Sequence, residues 1–470
     1  LSDADLERYA PSIADFATVR DELLHQGFEV LSADPHRFSL RVKGSVASIE
    51  RAFQTELHQF SFKGQAYQAH VRDAALTGRA GPLVEAVAGL ERHAVTPLHT
   101  VATNPVTGLP LSKGKISDGS VESTLLAEIT DVALSPATDF NFTTSGASLP
   151  VVSFTPAQLQ SHYGLPALYK AGYDGKGQSI ALIEGYDYAK AQADANLAAG
   201  VFGRPALTAA NFEVIYPEGK PSNPNLADLT GWTIEIALDI QSAHSIAPGA
   251  KIVVVATNGQ DNEDFIASLQ FVISNKIAHT VSNSWEEDTD ISAAPLEKEA
   301  FNSVLKQGAA AGISIQFSSG DSGDGGLGTP LGAPGVPSNS PYATAIGGNS
   351  ILNDPYGSGS GGGESTYFAK PAWQKSLPGT GRQVPDFAAL ADPYTGFPLI
   401  FTSAGTLYAQ AGRGGTSLAS PIFTAIWPLG SADTSLTVAP GWDNVTGYGE
   451  PNGLPFIQAV TGKTTGARVE

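Results

Sequence analysis

Four short apolar runs alternate with stretches of helical periodicity in the middle of the chain, and no other feature narrows the fold as much. The runs are Ser179 to Glu184, Lys251 to Thr257, His279 to Asn283 and Ile313 to Ser318. Between them, Thr233 to Ser245, Asn262 to Ser274 and Leu296 to Ala311 carry helical spacing. Strands that alternate with helices imply a parallel sheet covered on both faces. In such a sheet the reacting groups lie beyond the carboxyl ends of the strands. The expectation from residue 151 onward is therefore an α/β fold.

At 470 residues the chain exceeds one ordinary core, and it reads in three parts. Residues 1–95 form a small unit at ferredoxin-like scale. Its helices are expected at Phe16 to Leu24 and Val46 to Phe53, and its strands at Phe28 to Leu31, Phe38 to Val42 and Leu57 to Phe62. In residues 96–150 Pro, Gly, Ser and Thr recur and apolar periodicity is weak, which reads as a linker with short ordered pieces. Linkers of this kind are preferred sites of proteolytic nicking. Residues 151–470 carry the α/β pattern.

Composition excludes several function classes. A net charge of −19 argues against nucleic acid and anionic membranes as partners. No apolar run is long enough to span a bilayer, and the opening Leu-Ser-Asp-Ala-Asp is not a signal peptide. Only 16% of residues are charged, against about 25% in ordinary soluble domains. Few charges limit self-repulsion when carboxylates protonate, which suits acid surroundings; a bacterial secreted protein of ordinary low-lysine composition reads the same way. With no cysteine there is no disulfide, zinc-thiolate site or thiol nucleophile. The absence of methionine has no explanation in the sequence.

Three motifs carry chemistry. Gly415-Thr416-Ser417 precedes an apolar run to Ile426 and Trp427. That puts Ser417 at a helix N-terminus, where free N–H groups favour developing negative charge. Glu235 and Asp239 stand four apart in Thr-Ile-Glu-Ile-Ala-Leu-Asp-Ile, one turn apart on one helix face. Two carboxyls that close repel, so one holds its proton and the pair can serve as acid or base at low pH. An ordinary solvated helix face carries the same spacing. Asp321 lies in a glycine-rich turn after the strand ending at Ser318. Held neutral, it could donate to an oxyanion; a turn-forming Asp or a calcium loop reads the same way. His25, His36, His58, His70, His93 and His99 all precede the α/β region, and His162, His244 and His279 lie within it. None sits in a Gly-rich turn that would present a base, so a Ser-His-Asp triad is poorly supported.

Taken together, residues from about 150 to 460 resemble the sedolisins, the serine-carboxyl peptidases. The likeness rests on Phe154-Thr155-Pro156-Ala157-Gln158-Leu159 with Tyr163-Gly164, the Glu235/Asp239 helix with Ile246-Ala247-Pro248-Gly249-Ala250, and Ser319-Gly320-Asp321-Ser322-Gly323. Ser340-Pro341-Tyr342, Pro371-Ala372-Trp373-Gln374, Val384-Pro385-Asp386 and Gly415-Thr416-Ser417 with Pro421 continue it in family order. The N-terminal unit is similar to the family's activation prodomain through Tyr9-Ala10-Pro11, Gly27-Phe28-Glu29-Val30 and Val42-Lys43-Gly44-Ser45-Val46, but lacks its usual first strand, so an incomplete proenzyme is expected. The resemblance implies a subtilisin-like catalytic domain and a secreted, monomeric, acid-acting endopeptidase. Its own prodomain would act as inhibitor and be removed by self-processing, and its substrates would be proteins or peptides. It assigns Ser417 as nucleophile, Glu235 as general base, Asp239 as the group that orients it and shares its proton, and Asp321 as oxyanion donor. Trp285 resembles the family's tryptophan beside the site, although a core aromatic would look the same. The resemblance also implies a calcium ion near the C-terminus, held by the Asp443 carboxylate and the Ala439 and Gly441 carbonyls, with Asp433 the nearest candidate for the missing first ligand. Two rivals remain: a subtilisin-like hydrolase using His244 or His162, and a catalytically silent, calcium-stabilised secreted protein.

Overall fold

The computed structural model describes residues 7–62, 65–72, 74–92, 94–103, 110, 153–323, 332–351 and 359–429. The expected calcium ligands Asp433, Ala439, Gly441 and Asp443 lie outside them, as does most of the expected linker.

The N-terminal unit runs α1 (Ile13–His25), β1 (Glu29–Ala33), β2 (Leu40–Lys43), α2 (Val46–Phe53), β3 (Leu57–Phe62) and β4 (Gln65–His70). Ser12 and Ser45 cap the two helices, each accepting a backbone N–H three residues on. The strands pair as two antiparallel hairpins, β1 with β2 and β3 with β4. Leu23, Phe28, Ala52, Phe53 and Leu90 close a small core, in which Phe28 and Phe53 meet edge to face at 6.0 Å.

Beyond this unit, two short strands, β5 (Thr96–Pro97) and β6 (Thr100–Val101), precede the larger domain. That domain begins with α3 (Pro156–His162) and α4 (Pro166–Lys170), followed by β7 (Ser179–Gly185), α5 (Ala191–Val201), β8 (Phe212–Ile215), α6 (Leu226–Thr230), α7 (Trp232–Ile246), β9 (Lys251–Thr257) and α8 (Asn262–Asn275). Next come β10 (Thr280–Asn283), β11 (Trp285–Glu286), α9 (Pro295–Ala311), β12 (Ser314–Ser318) and β13 (Thr344–Asn349). The described chain closes with β14 (Gly363–Ala369), β15 (Gly381–Val384), β16 (Phe387–Leu390), β17 (Phe397–Ser403), β18 (Thr406–Gly414) and α10 (Thr416–Ile426).

The seven-stranded sheet has the order β16-β13-β12-β10-β7-β9-β8, and every neighbouring pair in it is parallel. The α/β expectation holds. The four apolar runs become β7, β9, β10 and β12, buried on both faces because helices cover both. Among the described residues no helix is long and apolar enough to cross a membrane.

Two helices are buried on nearly every side and therefore central. In α7 every residue except Ile234 is buried, and in α10 every residue is. The two pack against each other. This sets Glu235 and Asp239 in the interior rather than on a solvated face.

Candidate active site

The serine arrives at the site through the shape of its own helix start. Gly415 caps α10 with φ 96°, a conformation that favours glycine. A Cβ built there would stand 2.5 Å from the Leu98 carbonyl oxygen and 2.6 Å from Asp321 Oδ2, so glycine also clears the space in which those two oxygens converge. Four residues after Ser417, Pro421 has no N–H to give the helix ladder. The Ser417 carbonyl is thus released from its usual partner, and the Ser284 hydroxyl oxygen lies 3.3 Å from it.

Ser284, at the end of β10, ties the serine to the carboxyls. Its hydroxyl donates to Asp239 Oδ2 at 2.7 Å, and its carbonyl accepts from the Ser417 hydroxyl at 3.3 Å. The Ser417 hydroxyl also faces the Glu235 carboxyl, where it partly offsets the effect of burial.

Glu235 and Asp239 are both fully buried. Burial pushes the Glu235 carboxyl well above its ordinary range, with the charge of Asp321 adding to it. Burial does the same to Asp239, with Glu235 as the next cause. Sequence reasoning missed a third acid, Glu184, at the carboxyl end of β7. It is fully buried, and burial followed by the charges of Asp239 and Glu235 pushes its carboxyl well up too. Glu235 Oε1, Asp239 Oδ1 and both Glu184 oxygens meet no donor. Carboxyls that face one another satisfy such oxygens by holding a proton between them. The one sequence signal for Glu184 was its place at the end of an apolar strand.

Asp321 follows β12 and stands opposite the α10 N-terminus. Its Oδ1 accepts from the Thr416 N–H at 2.7 Å and from the Thr416 hydroxyl at 2.9 Å; Oδ2 has no partner. Burial raises this carboxyl to about 6, against the two bonds from Thr416 that hold it down.

The histidines fall differently from expectation. His244, on α7, turns Nε2 to the Pro205 carbonyl at 2.7 Å, and the His162 ring packs edge-on against Tyr163 at 4.9 Å. His99, set aside with the N-terminal histidines, stands at the site instead, with Nδ1 2.7 Å from Glu235 Oε2. Burial, then the charge of Arg413, lowers it to about 4. Trp285 is a core residue: its ring packs against Phe265 at 4.5 Å and Phe317 at 5.1 Å, and its indole N–H donates to the Ile183 carbonyl at 3.0 Å.

The N-terminal unit sits on the larger domain through polar contacts. Arg41 pairs with Asp264 at 2.9 Å and also with Glu218. Asp34 accepts from Gln270 at 3.2 Å and from the Ser274 hydroxyl, and the Gly89 N–H donates to Glu297 at 3.0 Å. Among the described residues no group of three or more His, Asp or Glu could hold a metal ion.

Comparison with known proteins bears on the fold and on the N-terminal unit. Residues 3–93 match the family model "Pro-kumamolisin, activation domain". The chain is 27% identical to kumamolisin of Bacillus sp. (strain MN-32), over 96% of this chain and 84% of that protein. It is 26% identical to sedolisin of Pseudomonas sp. (strain 101), over 90% of this chain and 69% of that protein. Among solved structures it is similar to Pseudomonas sedolisin, described as a serine-carboxyl proteinase, with a TM-score of 0.53 and 21% identity over 65% of this chain and 97% of the other. At that identity the likeness shows the fold.

Proposed function

The chain belongs to the sedolisin family of serine-carboxyl peptidases and carries the family's activation domain; from that premise we propose that it is an acid-acting endopeptidase whose nucleophile is Ser417. The observation that carries the reading is the burial of Glu235 and Asp239 beside Ser417, with His244 turned to the Pro205 carbonyl instead. A carboxylate at its ordinary pKa is a weak base for a serine hydroxyl. Raised by burial, it becomes a useful one.

In this reading Glu235 takes the Ser417 proton as the hydroxyl attacks a peptide carbonyl. Asp239 shares the proton on Glu235, and Glu184 supports Asp239 from the other side. Asp321, protonated, donates through Oδ2 to the oxyanion while the α10 N-terminus supplies N–H groups. A protonated donor restricts the enzyme to acid, so secretion into acidic surroundings belongs to the same proposal. Residues 1–95 would act as the inhibitory prodomain, 96–150 as the processed linker and 151–470 as the catalytic domain of a monomer. Calcium at Asp433, Ala439, Gly441 and Asp443 is proposed on the oxygen-donor chemistry of that stretch alone. The check for calcium is a fall in Tm on chelation that added calcium reverses.

The test of the function is hydrolysis of denatured casein at pH ~4 by the full chain and by Ser417→Ala. The variant should lose at least ~1,000-fold in rate. Equal rates would remove Ser417 from the chemistry.

A further inference from the structure

The segment Val95-Thr96-Pro97-Leu98-His99-Thr100-Val101-Ala102 leaves the prodomain core and crosses the site in extended form. Before Leu98, Thr96 and Pro97 pair antiparallel with Glu286 and Trp285 of β11. The Leu98 N–H donates to the Ser284 carbonyl at 3.1 Å. After His99, Thr100 and Val101 pair antiparallel with Gly414 and Arg413 of β18, and the Ala102 N–H donates to the Gly412 carbonyl at 3.1 Å. Main-chain ladders of this kind are a general way to hold an extended peptide, with pockets for alternate side chains giving selectivity. Here one ladder holds each side of a single peptide bond.

That bond is presented to the serine. The Leu98 carbonyl oxygen accepts from the Ser417 N–H at 3.0 Å, within the range expected of an oxyanion donor. It also converges with Asp321 Oδ2 on the space left by the missing side chain of Gly415, and that carboxyl oxygen has no other partner. On the far side, the His99 ring lies on Glu235, which brings the residue of the leaving nitrogen up against the group that must protonate it.

Resting on the catalytic reading above, we propose that Leu98–His99 is the bond this active site cuts in its own chain. The Ser417 hydroxyl adds to the Leu98 carbonyl carbon and gives its proton to Glu235. The intermediate collapses, the Leu98–His99 C–N bond breaks, and Glu235 returns the proton to the His99 nitrogen. One water then hydrolyses the Leu98 ester on Ser417 and restores the hydroxyl, with no other reactant needed. The same geometry names a substrate class. The Leu98 side chain is buried, and the Pro97 ring approaches Gly231, where an added Cβ would meet it at 3.8 Å. Peptides with an apolar residue before the cut and proline before that residue fit the site.

The experiment takes the full chain purified at neutral pH, brings it to pH ~4 and follows the earliest products by intact mass and N-terminal sequencing. The expected first product begins His-Thr-Val-Ala, forms at a rate independent of protein concentration over ~100-fold dilution, as an intramolecular step requires, and is absent in Ser417→Ala. An earliest Ser417-dependent cut at any other bond overturns the proposal. A synthetic peptide spanning residues 95–102 gives a second arm that does not depend on how a precursor variant folds. Cleavage between its Leu and His supports the proposal; an intact or differently cut peptide, under conditions where casein is digested, refutes it. Casein digestion that survives Ser417→Ala would sink the catalytic reading instead, so the two failures are distinguishable.

Discussion

Among the described residues, two buried pairs share i, i+4 spacing and differ in charge and in partners. Arg382 and Asp386 are opposite charges, both buried. The guanidinium meets the carboxylate with two bonds, Nη1 to Oδ1 at 2.7 Å and Nη2 to Oδ2 at 2.5 Å, and the Ala345 N–H adds a third at 2.8 Å. Glu235 and Asp239 are like charges with an unpartnered oxygen each and no cation on the same turn. The first pair is satisfied and serves to lock the loop before β16. In the second, Asp239 meets the Ser284 hydroxyl and Glu235 meets the His99 ring, whose pKa burial lowers to about 4, so that above this pH protonation rather than an ion pair neutralises the carboxyls. The contrast separates buried charge neutralised by an ion pair from buried carboxyls neutralised by a proton.

The largest expected effect separates the pairs by activity. Glu235→Gln should lower kcat/KM on a peptide substrate at least ~1,000-fold, about 4 kcal/mol of barrier, with little loss of Tm; a loss under tenfold would break the comparison. Asp386→Ala should act the other way, leaving a buried unpaired guanidinium and costing about 3–5 kcal/mol in denaturant unfolding. A neutral result there would show that Arg382 needs no partner. Next is the pH dependence of stability, measured in Ser417→Ala so that the chain stays intact. Asp321 has its folded pKa raised to about 6 from an ordinary 3.8, so the folded state binds the extra proton. Its contribution is full below pH ~4 and is lost as pH rises through about 6, some 3 kcal/mol in all. Asp321→Asn should flatten that slope, and an unchanged slope would assign it to other groups. The smallest effect is expected of Glu184→Gln, which keeps the shape and removes one titrating acid. Tm should rise by about 2 °C and kcat/KM should fall about tenfold or less; a fall in Tm would mean that the Glu184 proton is needed for packing.

Local patterns in the sequence carried further than distant ones. The helix of Glu235 and Asp239 was legible because its apolar spacing and its Ala247-Pro248-Gly249 stop are local, and the serine turn was legible because two glycines and a proline mark it. What local pattern could not decide was burial: a solvated face and an interior one share the same carboxyl spacing, and only the packing of α7 against α10 separates them. Glu184 was missed because one acid at a strand end has no pattern of its own. His99 was missed because its partner Glu235 lies far along the chain. The same holds for β5 and β6, whose ladders form with β11 and β18; two-residue strands have no periodicity to read. Strands β14, β15, β17 and β18 were also unread, since they pair antiparallel and with shifts in register, away from the parallel pattern that the apolar runs announced.

The central claim is that a carboxyl group, not a histidine, activates Ser417. The direct measurement is the rate of casein hydrolysis from pH ~3 to ~8 by the self-processed enzyme and by Glu235→Gln and His244→Ala, each freed of its prodomain by a second protease. The account predicts an acid profile that falls away above pH ~6, lost in Glu235→Gln and unchanged in His244→Ala. A neutral profile that survives Glu235→Gln and collapses in His244→Ala would contradict it.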